Sequence, residues 1–404
     1  MKKSIKQTII ACYIGFITQA IINNFAPLLY VTFHETYGIS LSQISLLIFL
    51  NFGVQILVDF IAARFIGDSN TRLGIVMANA FSAAGLLGLS FLPDILPNAF
   101  LGICISVIIS GIGGGLMEVL GSPILEALPG DSKSGAMSLL HSLYCWGQAG
   151  VILVSTVFFF MFGVGGIWQY LAAFWAIVPL VGMVMFMFVP LYPLVPDGNS
   201  MSIKALFSNR TFIIFLAMMM CAGASELAMA QWASTFAETA LGIDKSLGDL
   251  LGPCMFAILM GSSRVLYAKL SNKINLKKFF FISTVICIFS YLLAALSPNS
   301  AVSLIGCALC GFGVGVMWPG TYSMAASKLP NGGVSMFAFL ALAGDMGCVA
   351  GPALIGLVTE ASGLGMSFAF LLAVAFPTVL LLLQKFIKTE IKKSGNQRVK
   401  KSNR

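Results

Sequence analysis

The chain has 404 residues, of which 58% are hydrophobic and only 9% charged, and its mean hydropathy is +0.94. Soluble domains carry about 25% charged residues, so a polar-surfaced globular protein is excluded and a chain threaded repeatedly through a bilayer is expected. The formal net charge of +8 then asks on which side of a membrane the positive residues sit, not whether nucleic acid binds.

A helix crosses the hydrocarbon core in about 20 apolar residues. Twelve such segments are predicted, at 8–33, 42–66, 72–93, 98–128, 134–161, 165–190, 210–240, 246–270, 277–297, 300–327, 333–359 and 364–388. The first run, Thr8 to Phe33, is too long for a secretory signal and lacks a small-residue cleavage site, so it is read as the first span. With the N-terminus in the cytoplasm, Lys2, Arg64, Arg72, Lys133, Lys204, Arg210, Arg264, Lys328 and the C-terminal lysines fall on inner loops. Lys245 is the single base expected outside. That asymmetry predicts a multi-pass protein of the plasma membrane with both termini cytoplasmic.

The longest internal loop, LYPLVPDGNSMSIKALFSN at Leu191–Asn209, carries prolines, an Asp-Gly pair and scattered polar residues. It divides the chain into an N-terminal six-helix bundle (1–190), a cytoplasmic linker (191–209), a C-terminal six-helix bundle (210–390) and a basic tail (391–404). The halves repeat: Gly111-Ile-Gly-Gly-Gly-Leu-Met117 lies 200 positions before Gly311-Phe-Gly-Val-Gly-Val-Met317. Leu128-Pro129 and Leu329-Pro330, then Gly150 and Gly351, follow at nearly the same offset. Matched landmarks on the fourth span of each half indicate two copies of one fold. One difference stands out, Glu118 in the first copy against Trp318 in the second.

A charge at bilayer depth costs about 3 kcal/mol on insertion scales, so a buried acid marks a functional site by default. Glu118 lies mid-span, on one face with Gly111, Gly115 and Ser122, which suits a helix lining a solute path and a proton carrier. Asn51, Gln55 and Asp59 form a polar stripe on the second span, where a pathway-facing role and an ion pair with Arg64 are equally open for Asp59. His141, Tyr144, Cys145 and Gln148 share a face of the fifth span and offer donors, acceptors and a ring to a polar solute; His141 is also suited to relaying protons. Glu226 and Trp232 are about 120° apart around the seventh span. Either that helix is broken or one of them packs elsewhere, and Glu226 is preferred as the functional one. Gln231 and Asn24 join the candidate solute contacts. Asp345 lies near mid-membrane on the eleventh span, and Trp318-Pro319 on the tenth offers an aromatic platform.

The nine cysteines all fall in apolar segments and are assigned neither disulfide nor metal. GxxxxGK[ST] and HExxH are absent, and no nucleophile–base pair is evident, so neither ATP drive nor an enzyme is indicated, and no cofactor. A non-transporting receptor would need a soluble signalling module, which the composition does not contain.

Twelve spans, a central linker and a 6+6 repeat resemble the major facilitator superfamily over essentially the whole chain. Asp59–Arg72, DFIAARFIGDSNTR, is similar to a degenerate form of its signature loop, in which Asp68 and Arg72 remain and the paired bases are missing. The resemblance implies that these two residues form a conformational gate. Glu118-Val-Leu-Gly-Ser-Pro123, Leu128-Pro-Gly, Leu139-Leu-His-Ser-Leu-Tyr-Cys-Trp-Gly147 and Gly223-Ala-Ser-Glu226 with Trp232 resemble the fucose and glucose/galactose permease group. That group implies proton-coupled sugar import by alternating access, with Glu118 carrying the proton. The chain departs from it at Asn23-Asn24, which is followed by Phe-Ala-Pro without the acid of fucose-type members. The expectation is an all-α, monomeric transporter of a small polar solute, most naturally a sugar, coupled to protons through Glu118 with Glu226, Asp345 or Asp59. The alternative is a proton-driven exporter of drugs or metabolites, which the high Met and Phe content would suit.

Overall fold

A computed structural model describes residues 5–39, 41–65, 70–130, 133–162, 167–193, 200–243, 250–362 and 365–386. Asp68, Lys245 and the basic tail lie outside them. Among the described residues every regular element is a helix, and eleven stretches are long and apolar enough to cross a bilayer. The apolar part of a further helix, Phe49–Ala62, lies on the second predicted span.

In chain order the helices are α1 (Ile5–Phe25), α2 (Tyr30–Tyr37), α3 (Leu41–Phe65), α4 (Thr71–Ile95), α5 (Ala99–Ala127), α6 (Lys133–Phe162), α7 (Trp168–Trp175) and α8 (Ile177–Phe188). They continue with α9 (Ile203–Phe207), α10 (Arg210–Thr239), α11 (Met255–Leu270), α12 (Leu276–Leu296), α13 (Ser300–Val314), α14 (Met317–Lys328), α15 (Gly333–Ser362) and α16 (Gly365–Ala373), and the last helical stretch runs on to Phe386. The first span ends earlier than its hydropathy indicates. α1 stops at Phe25 and a 3-10 turn, Ala26–Leu29, follows, because Pro27 lacks an N–H and disfavours the α conformation at Ala26. Asn98, Asn209, Asn275 and Asn299 start α5, α10, α12 and α13, each side chain accepting a backbone N–H of the first turn.

The chain forms two compact units, Met1–Ile203 with Pro330–Leu342, and Lys204–Leu329 with Ala343–Arg404. Each unit uses the repeated glycines in the same way. In the first, a Cβ on Gly113 would lie 2.5 Å from the Ser82 nitrogen of α4, and one on Gly115 would lie 3.1 Å from Val58 Cβ of α3. In the second, a Cβ on Gly313 would lie 2.7 Å from the Cys287 nitrogen of α12, and one on Gly315 would lie 2.8 Å from the Met260 carbonyl of α11. The GxGxG pattern therefore lets the fourth span of each half approach its second and third spans backbone to backbone. The third landmark needs correcting. Gly150 has open space around it. The counterpart of Gly347, which packs on the Met220–Ala224 backbone of α10, is Gly147, packed on Ile17 and Ala20 of α1. That pair restores the 200-residue offset.

A second correction concerns Arg264, expected among the loop bases. It lies inside α11, only 3% exposed.

Candidate functional site

The first unit gathers a polar cluster from α1, α3, α5 and α6. Glu118 of α5 accepts a hydrogen bond from Gln19 Nε2 of α1 at 2.6 Å. A carboxyl oxygen only accepts from an amide N–H, so Gln19 sets the direction of this carboxyl group across from α1. One helical turn along, the Ser122 hydroxyl lies 3.1 Å from His141 Nε2 of α6, with both residues buried. Phe16 of α1 closes over the imidazole edge-on, ring centroids 4.8 Å apart, and it does so where Gly121 leaves room for its ring. Tyr144 and Gln148, half-buried, continue the His141 face of α6.

One to two turns further along α1, Asn23 Oδ1 accepts from Asn51 Nδ2 at 3.2 Å and from Gln55 Nε2 at 3.1 Å, both on α3. Gly111 and Gly114 of α5 leave the space beside these two amides. Asn23, which was not among the candidates, is thus the hub of the amide cluster, whereas Asn24 turns its Nδ2 to the Ala20 carbonyl of its own helix at 2.8 Å. Asp59, one turn beyond Gln55, is fully buried. Gln19 and Asn23 were legible only as an i, i+4 pair of amides in an apolar helix.

The second unit places its charges differently. Glu226 of α10 pairs with Arg264 of α11, Oε2 to Nη2 at 3.5 Å. Arg264 Nε also donates to the Gly315 carbonyl, just past the end of α13, at 2.7 Å. Trp232 faces another way, with its indole N–H donating to the Pro352 carbonyl of α15 at 3.0 Å. α10 runs unbroken from Arg210 to Thr239, so Trp232 is the residue that packs elsewhere and Glu226 stays with the polar group. Gln231, beside it, is exposed. Asp345 of α15 is buried. Its neighbour Gly344 leaves room for the Trp318 ring of α14, and Trp318 also meets Tyr322 edge-on at 6.4 Å.

Arg72, expected in a gate with Asp68, caps the end of α8. Its guanidinium donates to the carbonyls of Phe186, Met187 and Val189 at 2.7, 3.2 and 2.9 Å. On the loop side of the first unit, Tyr37 Oη donates to Asp94 at 2.6 Å, and partial burial beside that carboxylate pushes the phenol well above its ordinary pKa.

The family model of the Major Facilitator Superfamily matches residues 11–336 and 254–403. The chain belongs to the major facilitator superfamily. The chain is 26% identical to the membrane protein MosC of Rhizobium meliloti over 281 residues, which is 69% of the chain and 66% of MosC, just under two thirds of that relative's length. Among solved structures it is similar to the Escherichia coli fucose:proton symporter, with a TM-score of 0.78 and 15% identity over 95% of this chain and 99% of that one. A proton:xylose symporter matches with a TM-score of 0.80 and 13% identity over 93% of this chain and 94% of that one. At such identities the likeness is one of fold.

Proposed function

We propose that this transporter takes up a sugar-class polar solute together with protons, by alternating access in the plasma membrane, as a monomer with both termini cytoplasmic. The observation that carries the reading is the Gln19–Glu118 bond of 2.6 Å beside the Ser122–His141 bond of 3.1 Å. It puts a fixed carboxylate, a hydroxyl and an imidazole on adjoining turns at mid-span. The neighbouring amides of Asn23, Asn51 and Gln55 supply donors and acceptors without net charge, which suits hydroxyl-rich solutes. Proton uptake by Glu118 removes the charge that Gln19 binds and frees the amide to turn to a solute hydroxyl; this links the proton to the solute through one side chain. Glu226 is held by Arg264 in the second unit, and Asp345 and Asp59 are further coupling groups on this reading. The two sugar:proton symporters of the same fold support it.

The test uses proteoliposomes of the wild type and Glu118→Gln, with a panel of sugars added outside and internal pH recorded. Sugar-triggered acidification that vanishes in the variant is the expected result. Acidification that persists moves the proton to Glu226, Asp345 or Asp59. Silence toward every sugar, with proton flux driven by hydrophobic amines, overturns the uptake reading in favour of an exporter.

A further inference from the structure

The fourth span of each half carries the same glycines, yet the two copies differ in continuity. α5 runs unbroken from Ala99 to Ala127. Its counterpart, the span Ser300–Lys328, is split near its middle, with α13 ending at Val314 and α14 starting at Met317. The position 200 residues after Val119 is Pro319. A proline has no N–H, and its ring crowds the carbonyl four residues back, here that of Gly315. The helical ladder holds on either side: the Gly315 N–H donates to the Gly311 carbonyl at 3.1 Å, and the Gly320 N–H donates to the Val316 carbonyl at 2.8 Å. The Gly315 carbonyl is the acceptor that Pro319 deprives of its intrahelical donor.

Proline alone does not break such a helix, since α5 absorbs Pro123 and stays continuous. The second unit adds a guanidinium at the vacated carbonyl. α11 lies against the break, because a Cβ on Gly315 would come within 2.8 Å of both the Met260 carbonyl oxygen and Ser263 Cβ. The next residue, Arg264, donates from Nε to the Gly315 carbonyl at 2.7 Å, and Glu226 of α10 meets its Nη2 at 3.5 Å. A side chain from a neighbouring span thus replaces the missing amide, which is how a broken backbone is tolerated at bilayer depth. The break sets the course of Trp318, on the first turn of α14. Its ring lies in the room that Gly344 leaves on α15 and meets Tyr322 edge-on.

We propose that Arg264 is a positioning residue of the transport cycle. It stands in for the N–H that Pro319 lacks and keeps the tenth span broken at Gly315–Val316. It thereby sets where α14 presents Trp318, the ring expected to meet the solute, while Glu226 orients the guanidinium from α10. The clasp at the break is a property of the second unit alone. Only its link to the solute rests on the proposed function.

The test uses full-length variants in mild detergent, labelled with 5-fluorotryptophan, the Trp318 fluorine signal being assigned by Trp318→Phe. Arg264→Met with Glu226→Gln removes both charges together, so neither is left buried alone. This pair variant should shift the Trp318 signal and quicken amide exchange over 311–321 roughly tenfold or more, as an orphaned buried carbonyl demands. Adding Pro319→Ala returns an N–H to position 319 and should restore that protection. Exchange that quickens along α11 and not at the break, or a triple variant no better protected than the pair, overturns the proposal. Should the pair variant not fold, recovery of folded protein on adding Pro319→Ala supports the proposal, and failure of both overturns it. These readouts need no solute, so a protein that moves no sugar fails the proposed function without deciding the clasp. Where sugar does drive acidification of proteoliposomes, Pro319→Ala alone keeps both charges and offers the Gly315 carbonyl a second donor. It should raise the sugar concentration for half-maximal acidification severalfold, and an unchanged value overturns the link to transport.

Discussion

Arg264→Met should be among the most damaging single substitutions outside the first unit's polar cluster. The Arg264 and Glu226 side chains are 4% and 13% exposed, so neither charge is solvated enough to stand alone. Removing one member of a buried pair costs about 3–5 kcal/mol, because the other is left uncompensated. The charge-assisted bond from Nε to the Gly315 carbonyl at 2.7 Å accounts for about 1.5–3 kcal/mol of that. Glu226→Gln keeps this bond and leaves an amide acceptor beside the guanidinium, so it should cost less, about 1–3 kcal/mol. The double variant removes both charges and should cost less than the sum of the two singles by about 1–3 kcal/mol. Denaturant unfolding in mild detergent, followed by tryptophan fluorescence, measures all three. Single effects that add in the double variant to within about 0.5 kcal/mol would refute the idea that the pair acts as a unit, and a neutral Arg264→Met would refute its burial.

The glycine contrast gives a second prediction. Gly347→Ala should destabilise by about 1–3 kcal/mol, because its Cβ would meet the Met220 carbonyl carbon at 2.8 Å and the Ala224 nitrogen at 2.9 Å. Gly150→Ala, with nothing within 4 Å, should be neutral or stabilising by up to about 1 kcal/mol; the same unfolding assay compares them. Arg72→Gln should uncap α8, and amide exchange over 183–189 should quicken about tenfold, while exchange over 99–127 in α5 stays unchanged.

The packing of the chain was more legible in its sequence than its charge pairs were. Glycines at 111, 113, 115, 311, 313 and 315 are visible because backbone contact between helices admits almost nothing larger, so the steric demand writes itself at a fixed offset. The angle between Glu226 and Trp232 was also legible, and along an unbroken α10 the Trp232 indole bonds to the Pro352 carbonyl while Glu226 pairs with Arg264. Arg264 was misread because counting bases by loop ignores depth. It sits six residues before the end of α11, about 9 Å along the helix, and its partner lies 38 residues away on another helix. Gln19 was missed for a related reason: a pair of amides in an apolar helix acquires meaning only when the fold brings α5 and α3 beside α1.

The same distinction explains how the two halves diverged. Both keep the glycines that seat the fourth span against its neighbours, since losing one would drive backbone into backbone. The position after that motif is under no such constraint, and it holds Glu118 in one copy and Trp318 in the other. In the first unit the Glu118 side chain accepts from an uncharged amide. In the second, Glu226 is met by an arginine, and Asp345 follows Gly344, which leaves room for the Trp318 ring. A duplicated scaffold with the same glycine packing thus carries an acid bonded to an amide in one half and an acid paired with an arginine in the other, and the proposal that Glu118 takes the proton first starts from that contrast.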